Sequence, residues 1–488
     1  MTITQLERQD LLIGGDWKGA AGDDSFETTD PWTGETAGTA AAASRDDARA
    51  AADAAGAAFR EWSQTPPSQR RELLQKAAGL LMERAPDIAG IVTQETGATF
   101  GFGMFNCILA AGMLSEAAAQ TTSVTGEVIP SDVPGLTAFG MRVPAGVVVG
   151  IAPWNAPVIL GTRAVATPLA CGNTVVLKAS EVSPKTHGEI ARVLADAGLP
   201  DGVVNLVTHR GEDAADVVDE LIAHPAVRRV NFTGSTRVGR LVAENAARHL
   251  KRVLLELGGK APLVVLADAD IDEAVAAAKF GAFMHQGQIC MATEKIIVES
   301  PVHDAFAEQL GEKAAALNVG DPRDPETHIG PLVSRASLER VAGLVDDAVE
   351  RGAQVVTGGE ADGPCYRPTV LTGVTPEMRI YHEESFGPVV GVMSVDSHDE
   401  AVRIANDTEY GLAASVFAGH VPTALDLVRQ IESGICHVNG ATVHDEPQMP
   451  FGGVKASGFG RFGGKAAIEE FTELRWITIQ EGSRHYPL

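Results

Sequence analysis

Val147-Val-Val-Gly-Ile-Ala-Pro-Trp-Asn-Ala-Pro157 reads as a short strand that stops at a proline-bracketed turn and gives way to a helix. The same alternation continues downstream. Strand-like runs fall at 147–152, 174–178, 203–207, 227–232 and 252–256, and helical patterns at 159–170, 186–197, 212–223 and 235–248 separate them. Alternation of this kind predicts a parallel sheet covered by helices on both faces. A second alternating region begins near Pro262 and continues to about Phe451.

Upstream, 11–17 reads as a hairpin turning at Gly14-Gly15-Asp16, and 30–35 as another turn. Ser44 with Asp47 three residues on resembles a capping box for an alanine-rich helix to about Trp62. Pro66-Pro67 breaks it, and helical patterns follow at 68–84, 86–96 and about 105–121, so the first 120 residues read as mostly helical packing. Residues 122–144, rich in Val, Thr, Gly and Pro, read as extended, and the last strand-like run is 475–480.

The chain has 488 residues, 45% of them apolar, and a formal net charge of −25. A polyanion is a poor partner for nucleic acid or an anionic membrane, which need clustered Lys and Arg. Cys107, Cys171, Cys290, Cys365 and Cys436 are odd in number and form no CxxC, which argues against a disulfide framework or a metal site. The N-terminus carries charges where a signal peptide needs an apolar run, and no stretch reads as long enough for a membrane span. The expected compartment is the cytoplasm.

Several stretches carry residues suited to chemistry. Phe283-Met-His-Gln-Gly-Gln-Ile-Cys290 follows a helical pattern (271–285) and precedes a strand (295–298), with Gly287 for a tight turn. Cys290 is then either a nucleophile presented to a cleft or a small buried hydrophobe. Asn155, at a strand's carboxyl end, is an oxyanion donor or a turn residue. Lys178 and Glu181 bracket a ribose or form a surface charge pair. Phe232-Thr-Gly-Ser-Thr-Arg-Val-Gly239 suits a pyrophosphate at a helix start, but Gly234-x4-Gly239 is not the GxGxxG fingerprint. Glu256, between leucines and before Gly258-Gly259, is a base of raised pKa or a salt-bridged structural acid. The loops 383–389 and 450–458 read singly as ordinary turns.

Taken in order, the segments 153–157, 178–181, 232–239, 255–260, 287–290, 384–389 and 450–458 resemble the aldehyde dehydrogenase superfamily, and the resemblance runs from Leu11 to about Ile479. It implies an α/β fold with a Rossmann-like cofactor domain (1–121 and 145–257), an α/β catalytic domain (258–458) and a β oligomerisation element (122–144 and 459–488). It also implies a homodimer or homotetramer. Cys290 is implied as nucleophile, Glu256 as general base, and Asn155 with the Cys290 N–H as oxyanion hole. Trp154, Lys178, Glu181, Gly234, Ser235, Gly239, Glu384 and Phe386 are implied at the cofactor.

Within the family, 168–181 and 283–290 look most like the enzymes for salicylaldehyde, benzaldehyde and vanillin. By position, Leu160, Arg163, Ile289 and Phe451 are implied at the substrate tunnel. Arg163 reads as a donor to a ring hydroxyl or carboxylate, or as a salt-bridged helix-surface residue. Family members that pass the acyl group to coenzyme A generally lack the glutamate, so Glu256 implies hydrolysis. Glu181, facing a ribose 2′-hydroxyl, implies NAD, with NADP the weaker alternative. A semialdehyde, an aliphatic aldehyde, and a catalytically silent member of the fold are the competing readings.

Overall fold

A computed structural model describes residues 5–487, so the first four residues of the N-terminal stretch and residue 488 lie outside it. The opening stretch forms the middle of an eight-stranded sheet. Five parallel strands run in the order Val204–Val207, Thr174–Lys178, Val147–Ile151, Val227–Thr233, Arg252–Glu256. The chain steps outward from Val147–Ile151 in one direction, then crosses back to build the other half. The order therefore reverses between Val147–Ile151 and Val227–Thr233, and a crevice opens at their carboxyl ends. Asn155 and Ser235 both follow those ends.

The expected bounds of Thr174–Lys178 and Arg252–Glu256 match the observed ones, and the rest differ by a few residues. The hairpin Leu11–Ile13 and Asp16–Lys18 adds antiparallel to Val204–Val207 at one edge. Gly458–Phe459 pairs antiparallel with Leu255 and Glu256 at the other. Arg45–Trp62 lays Ala48, Ala51, Ala52 and Ala55 toward the sheet, and its capping box is present. Alanines there let the helix approach closely while adding no side-chain entropy cost.

The second alternating region forms a seven-stranded sheet: Gln354–Thr357, Thr369–Thr372, Val389–Val395, Thr293–Glu299, Ala261–Val265, Ala413–Phe417, Ile435–Val438. Only Gln354–Thr357, at the edge, is antiparallel. Residues of the extended segment and the C-terminal run meet in a third sheet, Thr472–Gln480, Leu136–Pro144 and Glu127–Ile129, all antiparallel. On it Val128 and Trp476 are 80% and 75% exposed.

Two expectations need correction. The first 120 residues also contain a strand pair, Ser25–Thr29 with Thr36–Ala41, around the turn at Asp30. Asp30 Oδ1 accepts from the N–H groups of Trp32 and Thr33 at 2.8 and 3.3 Å, which fixes that turn. Thr36-Ala-Gly-Thr-Ala-Ala41 has no apolar–polar alternation to announce a strand. The fourth helix starts at Phe100, capped by Thr99, and reaches Gln120. By length and composition its 21 residues are enough to cross a membrane, contrary to the expectation that no stretch was. It packs instead against Pro67–Glu83, Ala85–Thr96 and Pro157–Ala170, and Phe102, Cys107, Ala110, Leu114 and Ala118 join that core, while Phe100, Phe105 and Ile108 stay exposed.

Candidate active site

The helix Ile271–Phe283 ends two residues earlier than the sequence pattern predicts. His285, Gln286 and Gly287 then turn through left-handed backbone, with φ of 50°, 57° and 70°. For the two non-glycine residues this costs roughly 1–2 kcal/mol each. Buried contacts hold the turn. The Gln286 amide donates to Gly97 O at 3.1 Å and Pro331 O at 3.0 Å. His285 stacks on Phe102 at 4.1 Å with planes 5° apart. The outcome is a rigid loop that delivers Cys290, partly exposed, to a cavity wall just before the strand Thr293–Glu299. Gly259 passes so close beneath it that a Cβ there would sit 2.3 Å from the Cys290 carbonyl oxygen.

Glu256 ends the strand Arg252–Glu256 and is 1% exposed. Neither of its oxygens has a hydrogen-bond partner of good geometry. Burial pushes its carboxyl up to about 7, against the Arg163 charge and the neighbouring Cys290 thiol, while Asp445 adds to the rise. The Cys290 thiol is pushed well above its ordinary value by burial and then by the Glu256 carboxylate, with Arg163 opposing. At neutral pH the thiol therefore holds its proton, next to a carboxylate poised to take it. Asn155 is 6% exposed and donates through Nδ2 to Gln288 O at 2.9 Å. Its amide carries two N–H groups, so one remains for another acceptor.

Cys290 and Asn155 open on a cavity of about 250 Å³, which Leu160, Arg163, Ile289 and Phe451 also line. All four side chains expected at the substrate are thus brought together. Phe102, Phe105, Phe280 and Asp445 are among the other wall residues and were not anticipated. Arg163 is no surface residue. It is 7% exposed, ion-paired to Asp445, and its guanidinium lies 4.3 Å from the Phe451 ring centroid. Burial raises the Asp445 carboxyl, against Arg163, His444 and the Glu446 N–H.

The crevice side holds the other expected residues. Lys178 is 7% exposed and its ammonium makes no ion pair or hydrogen bond among the described residues, so the surface-pair reading with exposed Glu181 does not hold. Burial lowers its pKa and Glu181 raises it. A buried, unpartnered ammonium fits a hydroxyl-rich ligand such as a ribose. Ser235 caps the helix Thr236–Arg248, and Gly239 lies in its first turn, beneath Leu257. Gly234 N donates to Glu256 O at 3.1 Å, tying this turn to the base. Trp154 and Phe386 meet edge to face at 5.7 Å. Glu384 accepts from Gly259 N at 2.9 Å, and burial and Glu294 push its carboxyl up to about 7.

Sequence reading missed what holds this loop. Lys260 Nζ donates to Glu294 at 2.5 Å and to Glu383 O at 2.7 Å. Glu294 in turn accepts from the N–H groups of Ser385 and Phe386. Among the described residues no group of three or more His, Cys, Asp or Glu is placed to hold a metal ion.

The profile of the Aldehyde dehydrogenase family matches residues 17–477. A vanillin dehydrogenase of Pseudomonas sp. strain HR199 is 57% identical over 478 residues, 98% of this chain and 99% of that protein. A benzaldehyde dehydrogenase (NAD+) of Pseudomonas putida is 42% identical over 460 residues, 94% of each chain. The crystal structure of a salicylaldehyde dehydrogenase from Pseudomonas putida G7, complexed with salicylaldehyde, superposes with a TM-score of 0.97 at 44% identity, covering 99% of this chain and 100% of that one. With a family match over nearly its whole length and Cys290 and Asn155 at one cavity beside Glu256, the chain belongs to the aldehyde dehydrogenase family.

Proposed function

We propose that the chain oxidises an aromatic aldehyde to its carboxylic acid with NAD. The observation that carries this is the meeting of Cys290 and Asn155, with Glu256 buried beside Cys290, at a cavity walled by Phe102, Phe105, Phe280 and Phe451. Aromatic walls suit a flat ring, and the similarity to enzymes for vanillin, benzaldehyde and salicylaldehyde supports the same class. Arg163 is already neutralised by Asp445, which leaves no free cation in the cavity for a second carboxylate and disfavours a semialdehyde acid.

In this reading the Cys290 thiol passes its proton toward Glu256 as sulfur bonds to the aldehyde carbon. The carbonyl oxygen becomes an oxyanion held by the free N–H of Asn155 and the Cys290 backbone N–H. Lys178 and Glu181 hold the adenosine ribose of NAD, Ser235 with Gly234 and Gly239 the pyrophosphate, and Glu384 the nicotinamide ribose, with Trp154 and Phe386 along the cleft. Bound NAD would supply the hydride acceptor that the oxidation needs. Glu256 gives up the thiol proton to solvent and then, as a carboxylate, removes a proton from water, whose oxygen attacks the thioester carbon; Cys290 leaves as the thiolate and the acid is released.

Glu181 favours NAD because a carboxylate facing the 2′ position repels a phosphate there. We assign 1–121 and 145–257 to cofactor binding, 258–458 to catalysis, and 122–144 with 459–488 to self-association as a homodimer or homotetramer. Exposed Val128, Leu474 and Trp476 on the three-stranded sheet supply the apolar contact. Free cysteines throughout suit the cytoplasm.

The test is NADH formation by purified protein with benzaldehyde, salicylaldehyde, vanillin, hexanal and succinate semialdehyde, with Cys290→Ala as control. Ring aldehydes should exceed the others in kcat/KM by at least about tenfold. Preference for hexanal or the semialdehyde would overturn the substrate, and activity surviving in Cys290→Ala would overturn the mechanism. A higher kcat/KM with NADP than with NAD would remove the role given to Glu181.

A further inference from the structure

The catalytic cavity holds one carboxylate that the mechanism above does not use. Asp445 lies on its wall with a side chain only 9% exposed. Oδ2 accepts from Arg163, whereas Oδ1 is buried and has no hydrogen-bond partner of good geometry. A buried carboxylate oxygen without a donor is unfavourable, and a ligand that brings a donor relieves it. An ionised carboxylate only accepts, so aldehyde, ether and nitro oxygens do not answer it, and a hydroxyl does.

The geometry around Asp445 fits this role. Arg163 fixes the carboxylate from one side and is itself held over the Phe451 ring at 4.3 Å. Asp445 and Arg163 line the same cavity as Cys290 and Asn155, so the pair and the reacting thiol share one small space. Phe102, Phe105 and Phe280 line the same cavity.

We propose that Asp445 is a specificity-determining residue: Oδ1 accepts a hydrogen bond from a ring hydroxyl, and the enzyme selects phenolic aldehydes over their O-alkylated counterparts. This rests on the reading of the cavity as an aromatic-aldehyde site. A site built to bond a hydroxyl rejects analogues lacking it far more strongly than an apolar pocket rejects an extra methylene.

The test compares 2-, 3- and 4-hydroxybenzaldehyde with the matching methoxybenzaldehydes and with benzaldehyde, in wild type and Asp445→Asn. Asparagine keeps the shape and an oxygen for Arg163, but turns an N–H toward the substrate. At one ring position the wild type should favour hydroxyl over methoxyl by at least about tenfold in kcat/KM. In Asp445→Asn that ratio should fall to within about threefold. Selection by size alone would leave the ratio intact in the variant and overturn the proposal. A wild-type enzyme indifferent to hydroxyl and methoxyl, or a variant that loses all substrates equally, would also overturn it. If Asp445→Asn does not fold, phenol should inhibit the wild type competitively and more strongly than anisole, and equal inhibition would be the contrary result. Failure of the wild type to turn over benzaldehyde and every phenolic aldehyde would instead sink the underlying reading.

Discussion

Glu256 and Glu294 are both buried glutamates, yet their surroundings are opposite. Glu256 lies buried beside Cys290, with no hydrogen-bond partner of good geometry at either oxygen. Glu294, beneath the cofactor crevice, is saturated by Lys260 and the Ser385 and Phe386 N–H groups. A carboxylate that must exchange a proton is kept without fixed donors, so burial can lift it toward neutrality. A carboxylate that must hold a loop is given every donor within reach. The comparison separates a group that reacts from one that positions.

The largest expected effect comes from the reacting side. Cys290→Ala should lower kcat by at least roughly 10⁴-fold. Glu256→Gln should slow turnover by roughly 10²–10⁴-fold, and Asn155→Ala by roughly 10²–10³-fold. Steady-state rates with benzaldehyde measure all three. Retained turnover in Glu256→Gln would erase the distinction between the two glutamates.

Glu294→Gln should act on stability before chemistry. Removing one partner of a buried ion pair costs on the order of 3–5 kcal/mol, read as a lower midpoint in urea unfolding. Its KM for NAD should rise more than kcat falls, because the loop carrying Glu384 loses its anchor. An unchanged midpoint would mean the Lys260–Glu294 pair holds nothing.

The pH dependence sharpens the contrast from the other direction. With its carboxyl near 7, Glu256 is the active base only above that pH, so kcat should rise through about 7 and lose this limb in Glu256→Gln. Stability runs oppositely. A carboxyl raised from its unfolded value near 4.5 binds protons more tightly when folded, so it destabilises the fold as pH climbs from there through about 7. Glu256→Gln should therefore stabilise the protein more at pH 8 than at pH 5, and an equal effect at both would contradict the burial account. The smallest effect is at the crevice rim: Glu181→Ala should narrow the NAD over NADP preference by about tenfold, measured as the ratio of kcat/KM values.

Much of this was legible before the structure. Thr174–Lys178 and Arg252–Glu256 are short apolar runs ending in a charge, and the charge marks the carboxyl end where the sheet meets the crevice. The family resemblance implied Cys290, Asn155 and the four substrate-side residues, which line one cavity, and Glu256, which lies beside Cys290. Asp445 was not legible, because His444-Asp-Glu446 looks like a solvated acidic turn and its partner Arg163 is 282 residues away. Glu294 and Lys295 look like a surface pair, but Glu294 binds Lys260, and Lys295 donates to Asp407 O and lies over Tyr381. Long-range pairing of this kind leaves no local periodicity. The strand pair Ser25–Thr29 and Thr36–Ala41 escaped for a related reason: pairing, not side-chain pattern, makes it.

The most direct test of the thioester route is a single turnover of Glu256→Gln with NAD and benzaldehyde, followed by intact-mass and peptide mapping. The account predicts a burst of NADH of one equivalent per subunit and a benzoyl group on Cys290 that persists because water is not activated. A Glu256→Gln protein that gives neither burst nor adduct while the wild type turns over, or an acyl group mapped to another residue, would contradict it.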